Sequence, residues 1–270
     1  MIVTIVTPTL NAVEFLRECI ESARANAGPG IEIEHVIVDG GSTDGTVALA
    51  QSFGLRVMTG KDRGIFDAIN KGSFSSSGEL LGFLGADDAM LPGGMRAVVD
   101  AYRESGRPWV VGGIRWIDER GRSLGELAAP PTWMGTRLLT CLGWNPVMHM
   151  GTYFSRGFFT ALGGFDIAYR DSGDYEMFSR ARAVSPFGRI ARPVACFRRT
   201  GVNNSAVNRV RARRENLAVR EKYGPRSALE RAMWQAALKA WFNFGNPAWF
   251  AAKLAQPVRL RLGLQQRAYF

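Results

Sequence analysis

The sequence predicts an α/β fold: a mostly parallel sheet flanked by helices, followed by a helical extension at the C-terminus. Three observations lead there. The first hundred residues alternate β-rich runs with amphipathic helical runs, a pattern that buries a parallel sheet between helical layers. The connections between those runs are short. Acidic residues also stand where two of the strands end, Asp39 and the doublet Asp87-Asp88, and this is the edge at which such sheets hold ligands. With 270 residues, 46% of them apolar and 21% charged, the chain can bury a substantial core.

The elements follow in order. Residues Ile2–Thr7 form a β-rich run, and Asn11 with Glu14 resembles a capping box opening a helix to about Ala25. The apolar positions Phe15, Leu16, Cys19, Ile20 and Ala23 recur there at helical spacing. A strand at Ile33–Val38 leads through the turn Gly40–Gly45 into a helix at Thr46–Phe53. Next come a strand at Leu55–Met58, a helix at Ile65–Phe74, a strand at Glu79–Leu84 and a helix at Pro92–Ser105. Trp109–Gly113 reads as a strand and Arg115–Glu126 as a hairpin turning at Glu119–Arg122. The stretch Ala128–Met150, rich in Pro, Trp and Met, reads as a long, partly ordered loop of the kind that forms a substrate lid or acceptor wall. A strand at Gly151–Ser155, a helix at Asp174–Ala183 and a last strand at Arg189–Arg199 complete the body. In the tail, Ser227 and Glu230 form a capping box for a helix to about Phe242 with a broad apolar face of Leu229, Met233, Trp234, Ala237, Leu238 and Trp241. Asn246-Pro247 then starts a short helix bearing Trp249 and Phe250, stopped by Pro257.

The net charge of +10 is unevenly placed. Residues 1–188 hold 17 Lys/Arg against 21 Asp/Glu, net −4, whereas residues 189–270 hold 17 against 3, net +14. Such asymmetry points to a polyanion, either nucleic acid or an anionic membrane surface. The tail helices either cover the core or lie at a membrane surface, with tryptophans at headgroup depth and arginines on anionic lipid. No apolar run approaches the roughly 20 residues of a membrane span. The first residues read as a strand and not as a basic leader, so no signal peptide is expected. Cys19, Cys141 and Cys196 are too widely spaced for a disulfide framework or a zinc site, which suits a cytoplasmic protein.

The segment Leu81-Gly82-Phe83-Leu84-Gly85-Ala86-Asp87-Asp88 carries the strongest chemical signal. Burying one unpaired charge is costly, and two side by side repel each other. A hydrated Mg2+ or Mn2+ ion, itself holding a phosphorylated substrate, would account for the pair, because such hard cations prefer carboxylate oxygens. An acidic turn in which Asp88 caps the helix near Pro92 accounts for it equally well.

Three linked segments add a resemblance. Val6-Thr7-Pro8-Thr9-Leu10-Asn11, then His35-Val36-Ile37-Val38-Asp39-Gly40-Gly41-Ser42-Thr43-Asp44-Gly45-Thr46, then Gly78 to Asp88 resemble, in order and spacing, the family 2 inverting glycosyltransferases. The resemblance covers about residues 1–205, weakens from Ala128 and ends by about 210. It implies a GT-A (Rossmann-like) glycosyltransferase domain over 1–205 and a basic, amphipathic helical extension over 206–270. It also implies transfer of a sugar, hexosyltransferase-type, from a nucleotide-diphosphate donor, with UDP-sugar favoured, to a glycan or lipid-linked saccharide.

By the same resemblance, Thr7, Pro8, Thr9 and Asn11 line the nucleotide pocket, and Asp39 accepts the ring N–H of the base. Asp62 helps hold base or ribose, and Arg63 meets phosphate. The family's arginine before the residue matching Asn70 is Ile69 here, so phosphate neutralisation passes to Lys71, Arg63 or a C-terminal arginine. Asp67 is an additional carboxylate that either holds Lys71 or is solvated. Ser42 and Asp44 shape the turn and cap the next helix. Asp87 faces ribose or metal and Asp88 coordinates Mg2+ or Mn2+, although Ala86 replaces the first acid of the usual triplet. Asp174 matches the catalytic base, while Gly173 stands where relatives have a second acid, which leaves Asp171 as a competitor. His149 falls near the sugar pocket. Arg198, Arg199, Asn204 and Ser205 fall on a loop over the diphosphate, Arg199 being the candidate contact.

Two rivals are weaker. A sugar nucleotidyltransferase would want a glycine-rich, basic loop after the first strand, which Thr7-Pro8-Thr9-Leu10-Asn11 lacks. A nucleic-acid-binding protein using the arginine-rich tail would leave Asp39, Asp87, Asp88 and Asp174 unexplained. The expected setting is cytoplasmic, peripheral on the inner face of the cell membrane.

Overall fold

In the computed structural model of this chain the described residues are 1–141, 143, 145–200, 208–245 and 251. The first half alternates as the sequence predicts: β1 (Ile2–Thr9), α1 (Val13–Arg24), β2 (Glu32–Asp39), α2 (Thr46–Ser52), β3 (Arg56–Thr59), α3 (Ile65–Phe74) and β4 (Leu80–Phe83). Then follow β5 (Ala89–Met90), α4 (Gly94–Ser105), β6 (Trp109–Ile117), β7 (Ser123–Leu127), α5 (Thr136–Thr140) and a 3-10 turn at His149–Gly151. The chain continues through β8 (Thr152–Ser155), α6 (Arg156–Ala161), α7 (Gly173–Val184), β9 (Gly188–Arg198), α8 (Arg209–Tyr223) and α9 (Ala228–Gly245).

One mixed sheet runs β3-β2-β1-β4-β8-β6-β9-β5, with β7 paired to β6. Its first four strands are parallel, with Val6 opposite both Val36 and Phe83. All four therefore end at one edge, and the acids of the strand ends collect there. Strand β8 is antiparallel to β4, with Gly82 opposite Tyr153, so the segment entering β8, including His149, lies at the same edge. Strand β9 returns parallel to β6 and brings Arg198 and Arg199 to it.

The sheet is covered on both faces, as its side-chain alternation requires. One core gathers Val6, Val38, Leu81, Phe83, Trp109 and Phe154 with residues of α3, α6 and α7. Within it Trp109 and Phe154 stack with centroids 5.4 Å apart, and Phe83 meets Phe165 edge-on at 5.1 Å. The second core places Val3 and Ile5 against Cys19 and Ala23 of α1 and Met95, Val98 and Val99 of α4. Leu238 of α9 is buried in the first core, with Trp234 and Trp241 packed against it.

Two sequence expectations are corrected. Asn11 does not open a capping box, because it takes a positive φ of 49° and its side chain accepts the Thr43 N–H. The first N–H groups of α1 are satisfied from the neighbouring loop: Asn11, Ala12 and Val13 donate to Ser42 Oγ, Thr46 Oγ1 and Asp44 Oδ2. Within the partly ordered stretch 128–150 lie α5 and the 3-10 turn. Strand β6 runs unbroken to Ile117 before the hairpin turn. The helix α8 falls within the helical extension expected over 206–270. Asn204, Ser205 and the short helix expected from Asn246-Pro247 with Trp249, Phe250 and Pro257 lie outside the described residues.

Gly82 sits where a Cβ would stand 2.3 Å from the Tyr153 ring, and Tyr153 is itself buried. Gly82→Ala should therefore overpack the β4–β8 pair and cost about 1–3 kcal/mol, read as a lowered urea midpoint at unchanged m-value.

Candidate active site

The site is assembled at the common edge of β1, β2 and β4. Asp39, the last residue of β2, is buried and accepts four hydrogen bonds: Gly41 N–H (3.0 Å) and Ser42 N–H (2.8 Å) on Oδ1, Thr9 Oγ1 (2.9 Å) and Ser42 Oγ (2.5 Å) on Oδ2. A carboxylate offers about four acceptor positions, so in this arrangement they are filled from within the chain. Burial pushes the Asp39 carboxyl up, but the Ser42, Thr9 and Gly41 donors together hold it below its ordinary value. The expectation that Thr7 lines the nucleotide pocket is corrected: its side chain is fully buried, its hydroxyl 2.8 Å from His35 Nε2. It serves the scaffold behind the edge. His35 is one residue whose place sequence reasoning missed, and burial pushes its pKa down to about 4. Pro8 is half-buried and Asn11 exposed at the same edge.

Asp62 follows β3 and lies against the end of β2. A Cβ on Gly40 would meet its Oδ2 at 2.9 Å, while its Oδ1 accepts the Gly64 N–H at 2.9 Å. Asp67 holds Lys71 (3.0 Å), lies 3.6 Å from Arg63 Nη2 and accepts the Arg63 N–H at 2.9 Å. Of the two readings of Asp67, the ion-paired one stands. Lys71 also donates to the Lys61 carbonyl at 3.1 Å. Both cations expected at phosphate are thus engaged by Asp67, with their ends still solvent-accessible. Arg170 is a cation that sequence reasoning passed over; its Nη1 stands 3.1 Å from where a Cβ on Gly64 would be.

Asp87 is half-buried and Asp88 only 2% exposed, at the turn after β4. The Asp88 N–H closes the turn on the Gly85 carbonyl at 3.0 Å, and Asp88 Oδ1 accepts the Arg198 N–H at 2.9 Å. Arg198 is corrected from a loop contact to an internal brace. It is buried, and its guanidinium donates to the carbonyls of Asp87, Asp118 and Glu119 and to Glu18 Oε2, while lying over the Phe15 ring at 4.8 Å. Burial raises the Asp87 carboxyl even against the charge of Arg198. Burial and the neighbouring Asp87 charge raise Asp88 well above its ordinary value, again despite Arg198. The doublet is thus a pair of hard oxygen donors at the ligand-bearing edge, Asp88 buried and Asp87 half-buried. It fits Mg2+ or Mn2+, which are commonly held by one or two carboxylates with substrate phosphates completing the shell. Among the described residues no group of three or more His, Cys, Asp or Glu forms a metal cluster. His149 is half-buried in the 3-10 turn at this edge, and burial pushes its pKa down to about 4. The Arg199 N–H donates to the Ile117 carbonyl at 2.9 Å.

Asp174 is the second residue of α7. Its Oδ1 accepts the Tyr175 N–H at 2.7 Å and its Oδ2 the Asn145 amide at 3.0 Å. Burial pushes its pKa up to about 6, against the pull of those two donors and with a further push from the Glu215 charge. Asp171, the competing acid, is spent: Arg211 binds it through two nitrogens at 2.5 and 3.0 Å. The glycine that replaces the family's other acid also has a reason. A Cβ on Gly173 would meet the Phe66 ring at 2.6 Å. That close approach seats the start of α7 on the start of α3, next to Asp62 and Arg63. The turn before α7 is fixed by Gly163 and Gly164 at φ 77° and 72° and by Asn70, which exchanges two hydrogen bonds with Phe165.

The model of "Glycosyl transferase family 2" matches residues 4–160. A "PGL/p-HBAD biosynthesis glycosyltransferase" of Mycobacterium bovis is 31% identical over 183 residues, 64% of this chain and 66% of that relative. The chain thus spans slightly less than two thirds of that relative. An uncharacterized glycosyltransferase of Mycobacterium tuberculosis is 29% identical over 189 residues, 67% of this chain and 69% of its own length. Among solved structures, Staphylococcus aureus TarS 1–349 in complex with UDP-GlcNAc superposes with a TM-score of 0.60 at 14% identity, covering 90% of this chain and 81% of TarS 1–349. The mannosyltransferase PcManGT of Pyrobaculum calidifontis, in complex with GDP-Man and Mn2+, superposes with a TM-score of 0.59 at 18% identity, covering 98% of this chain and 76% of that one. At such identities the superpositions show the fold, which is GT-A.

The Asp174 environment is testable without substrate. Carboxyl 13C NMR should place its midpoint at about 6, and Asn145→Ala, which removes a donor to the charged form, should move it higher.

Proposed function

The chain belongs to glycosyl transferase family 2, and on that premise we propose that it transfers a sugar with inversion from a nucleotide-diphosphate donor to an acceptor hydroxyl, with Asp174 as general base. The observation that carries the reading is Asp174 itself. It is a carboxylate with a pKa of about 6, closer to neutrality than an ordinary aspartate and so better matched to proton abstraction. It sits on a helix seated against the nucleotide edge.

The steps balance simply. The acceptor oxygen attacks the anomeric carbon from the face opposite the diphosphate, its proton passes to Asp174, and the electron pair of the breaking sugar–oxygen bond leaves on the diphosphate. The Asn145 amide and the Tyr175 N–H fix the direction of the accepting oxygens. Asp62 offers its Oδ2 beside Gly40 to base or ribose. Asp39 accepts a ring N–H when one of its two hydroxyl donors, Thr9 or Ser42, rotates away. UDP-sugars remain the favoured donors, supported by TarS with UDP-GlcNAc, and GDP-mannose is the alternative supported by PcManGT. Asp88, with Asp87, would hold Mg2+ or Mn2+, which when bound neutralises charge developing on the leaving diphosphate. Arg63, Lys71, Arg170 and Arg199 supply cations around the same edge, and His149 borders the sugar.

The acceptor is a glycan or lipid-linked saccharide, and the chain works at an anionic membrane surface on the cytoplasmic side. Support comes from the net +14 of residues 189–270 and from the outer face of α9, where Leu229, Met233 and Phe244 are 73%, 60% and 78% exposed. Among the described residues no helix is long and apolar enough to cross a membrane.

Released nucleotide from a panel of UDP-, GDP- and dTDP-sugars with Mn2+ should identify at least one donor, and Asp174→Asn should lower that turnover by roughly 10²–10⁴-fold. Silence across the panel would contradict the reading. The acid limb of kcat/KM should fall at about 6, because the free enzyme must carry ionised Asp174. Flotation with phosphatidylglycerol liposomes should exceed that with phosphatidylcholine and weaken with salt; equal flotation would remove the membrane assignment.

A further inference from the structure

At the start of α7 the cap residue Ser172 makes no side-chain hydrogen bond to the helix, and Asp174 Oδ1 takes the Tyr175 N–H locally at 2.7 Å. The chain entering the helix is held from α8. Glu215 Oε1 accepts the Arg170 N–H at 2.9 Å, and its Oε2 accepts those of Asp171 and Ser172, each at 2.8 Å. Three successive backbone donors thus converge on one carboxylate from more than forty residues downstream. Charge-assisted bonds of this kind are strong and directional.

Further ties clamp the same two helices. Arg211 binds Asp171, the Ser172 hydroxyl donates to the Ala212 carbonyl at 3.3 Å, and Tyr223 donates to buried Glu176 at 2.8 Å. Arg180 also pairs with Glu176, from within α7. By contrast α8 buries little apolar surface, Val219 being its one fully buried residue. Its docking is polar and aimed at the turn that carries Asp174.

We propose that Glu215 is a positioning residue for the transfer reaction, holding the backbone of residues 170–172 so that Asp174 points at the acceptor hydroxyl. The proposal rests on the reading of Asp174 as base. It makes α8 part of the catalytic apparatus, where the sequence suggests a separate extension beginning at 206. Glu215 also sets charge at the site. Among the described residues, the charged groups on the elements packed around Asp174 include Glu215, Arg211, Arg220 and Lys222 of α8, Arg170, Asp171, Glu176 and Arg180 near or on α7, and Arg137 of α5, which pairs with Glu230; the amide of Asn145 is the neutral group that meets Asp174. Asp171 is neutralised by Arg211 and Glu176 by Arg180, whereas the Glu215 charge raises Asp174.

The test compares Glu215→Gln and Glu215→Ala with wild type in the full chain, using Mn2+ with UDP-GlcNAc and with GDP-mannose. Gln keeps acceptors for two of the three N–H groups while losing the charge, so it should fold. Expected are a fall in kcat of about 10-fold or more, an unchanged affinity for UDP or GDP, and a downward shift of both the acid limb and the Asp174 carboxyl 13C midpoint. Glu215→Asp should recover part of the rate. A folded Gln variant with unchanged kcat and unchanged Asp174 midpoint overturns the proposal, and the NMR midpoint decides the matter even if neither donor turns over. If Asp174→Asn is itself fully active, the reading of the base fails and not merely this extension of it.

Discussion

Two adjacent carboxylates at the end of a buried strand organise this molecule. Asp87 and Asp88 are withdrawn from water, repel one another and remain raised above their ordinary pKa even beside Arg198. A fold keeps such a cost only where something else offsets it. Arg198 shows how it is held in place: one buried side chain bonds the acidic turn, the hairpin turn at Asp118-Glu119 and Glu18 of α1, while its backbone N–H grips Asp88. The brace fixes the geometry of a carboxylate pair that burial still raises. That combination suits a site that receives a cation with its substrate.

The same logic of borrowed support recurs around the edge. The chain entering α1 is held by side chains of the 42–46 loop, and the chain entering α7 by Glu215 of α8. In both cases the cap is contributed by a segment distant in sequence, so the loops that meet the ligand are cross-linked to one another. Such ties limit the movement of Asp174 relative to the sheet, and reactions that depend on in-line attack are sensitive to displacements of that order.

Much of this was legible in the sequence where the signal is local. The parallel strands, the acids at their ends and the helix bearing Asp174 follow from apolar periodicity and motif spacing. What escaped depends on distant partners. A helical extension is expected after 206, but not that a glutamate and an arginine of α8 would grip the chain entering α7. Asn11 and Glu14 had the spacing of a capping box, yet the competing acceptors Ser42, Asp44 and Thr46 sit more than thirty residues away. Arg198 and Arg199 are adjacent and chemically alike, so only the strand alternation of β9 decides which turns inward. The Thr7 hydroxyl faces His35 for the same reason, since its strand neighbours Val6 and Pro8 point the other way. Gly173 looked like a lost acid; its meaning is steric and lies in Phe66.

The central claim is that the doublet grips a divalent cation together with a nucleoside diphosphate. Electron paramagnetic resonance of Mn2+ titrated into the protein with UDP or GDP present measures this directly. The account predicts a bound Mn2+ signal that requires the nucleotide and weakens by more than about 100-fold in Asp88→Asn. An Asp88→Asn protein that folds and binds Mn2+ with the nucleotide as tightly as wild type would contradict it.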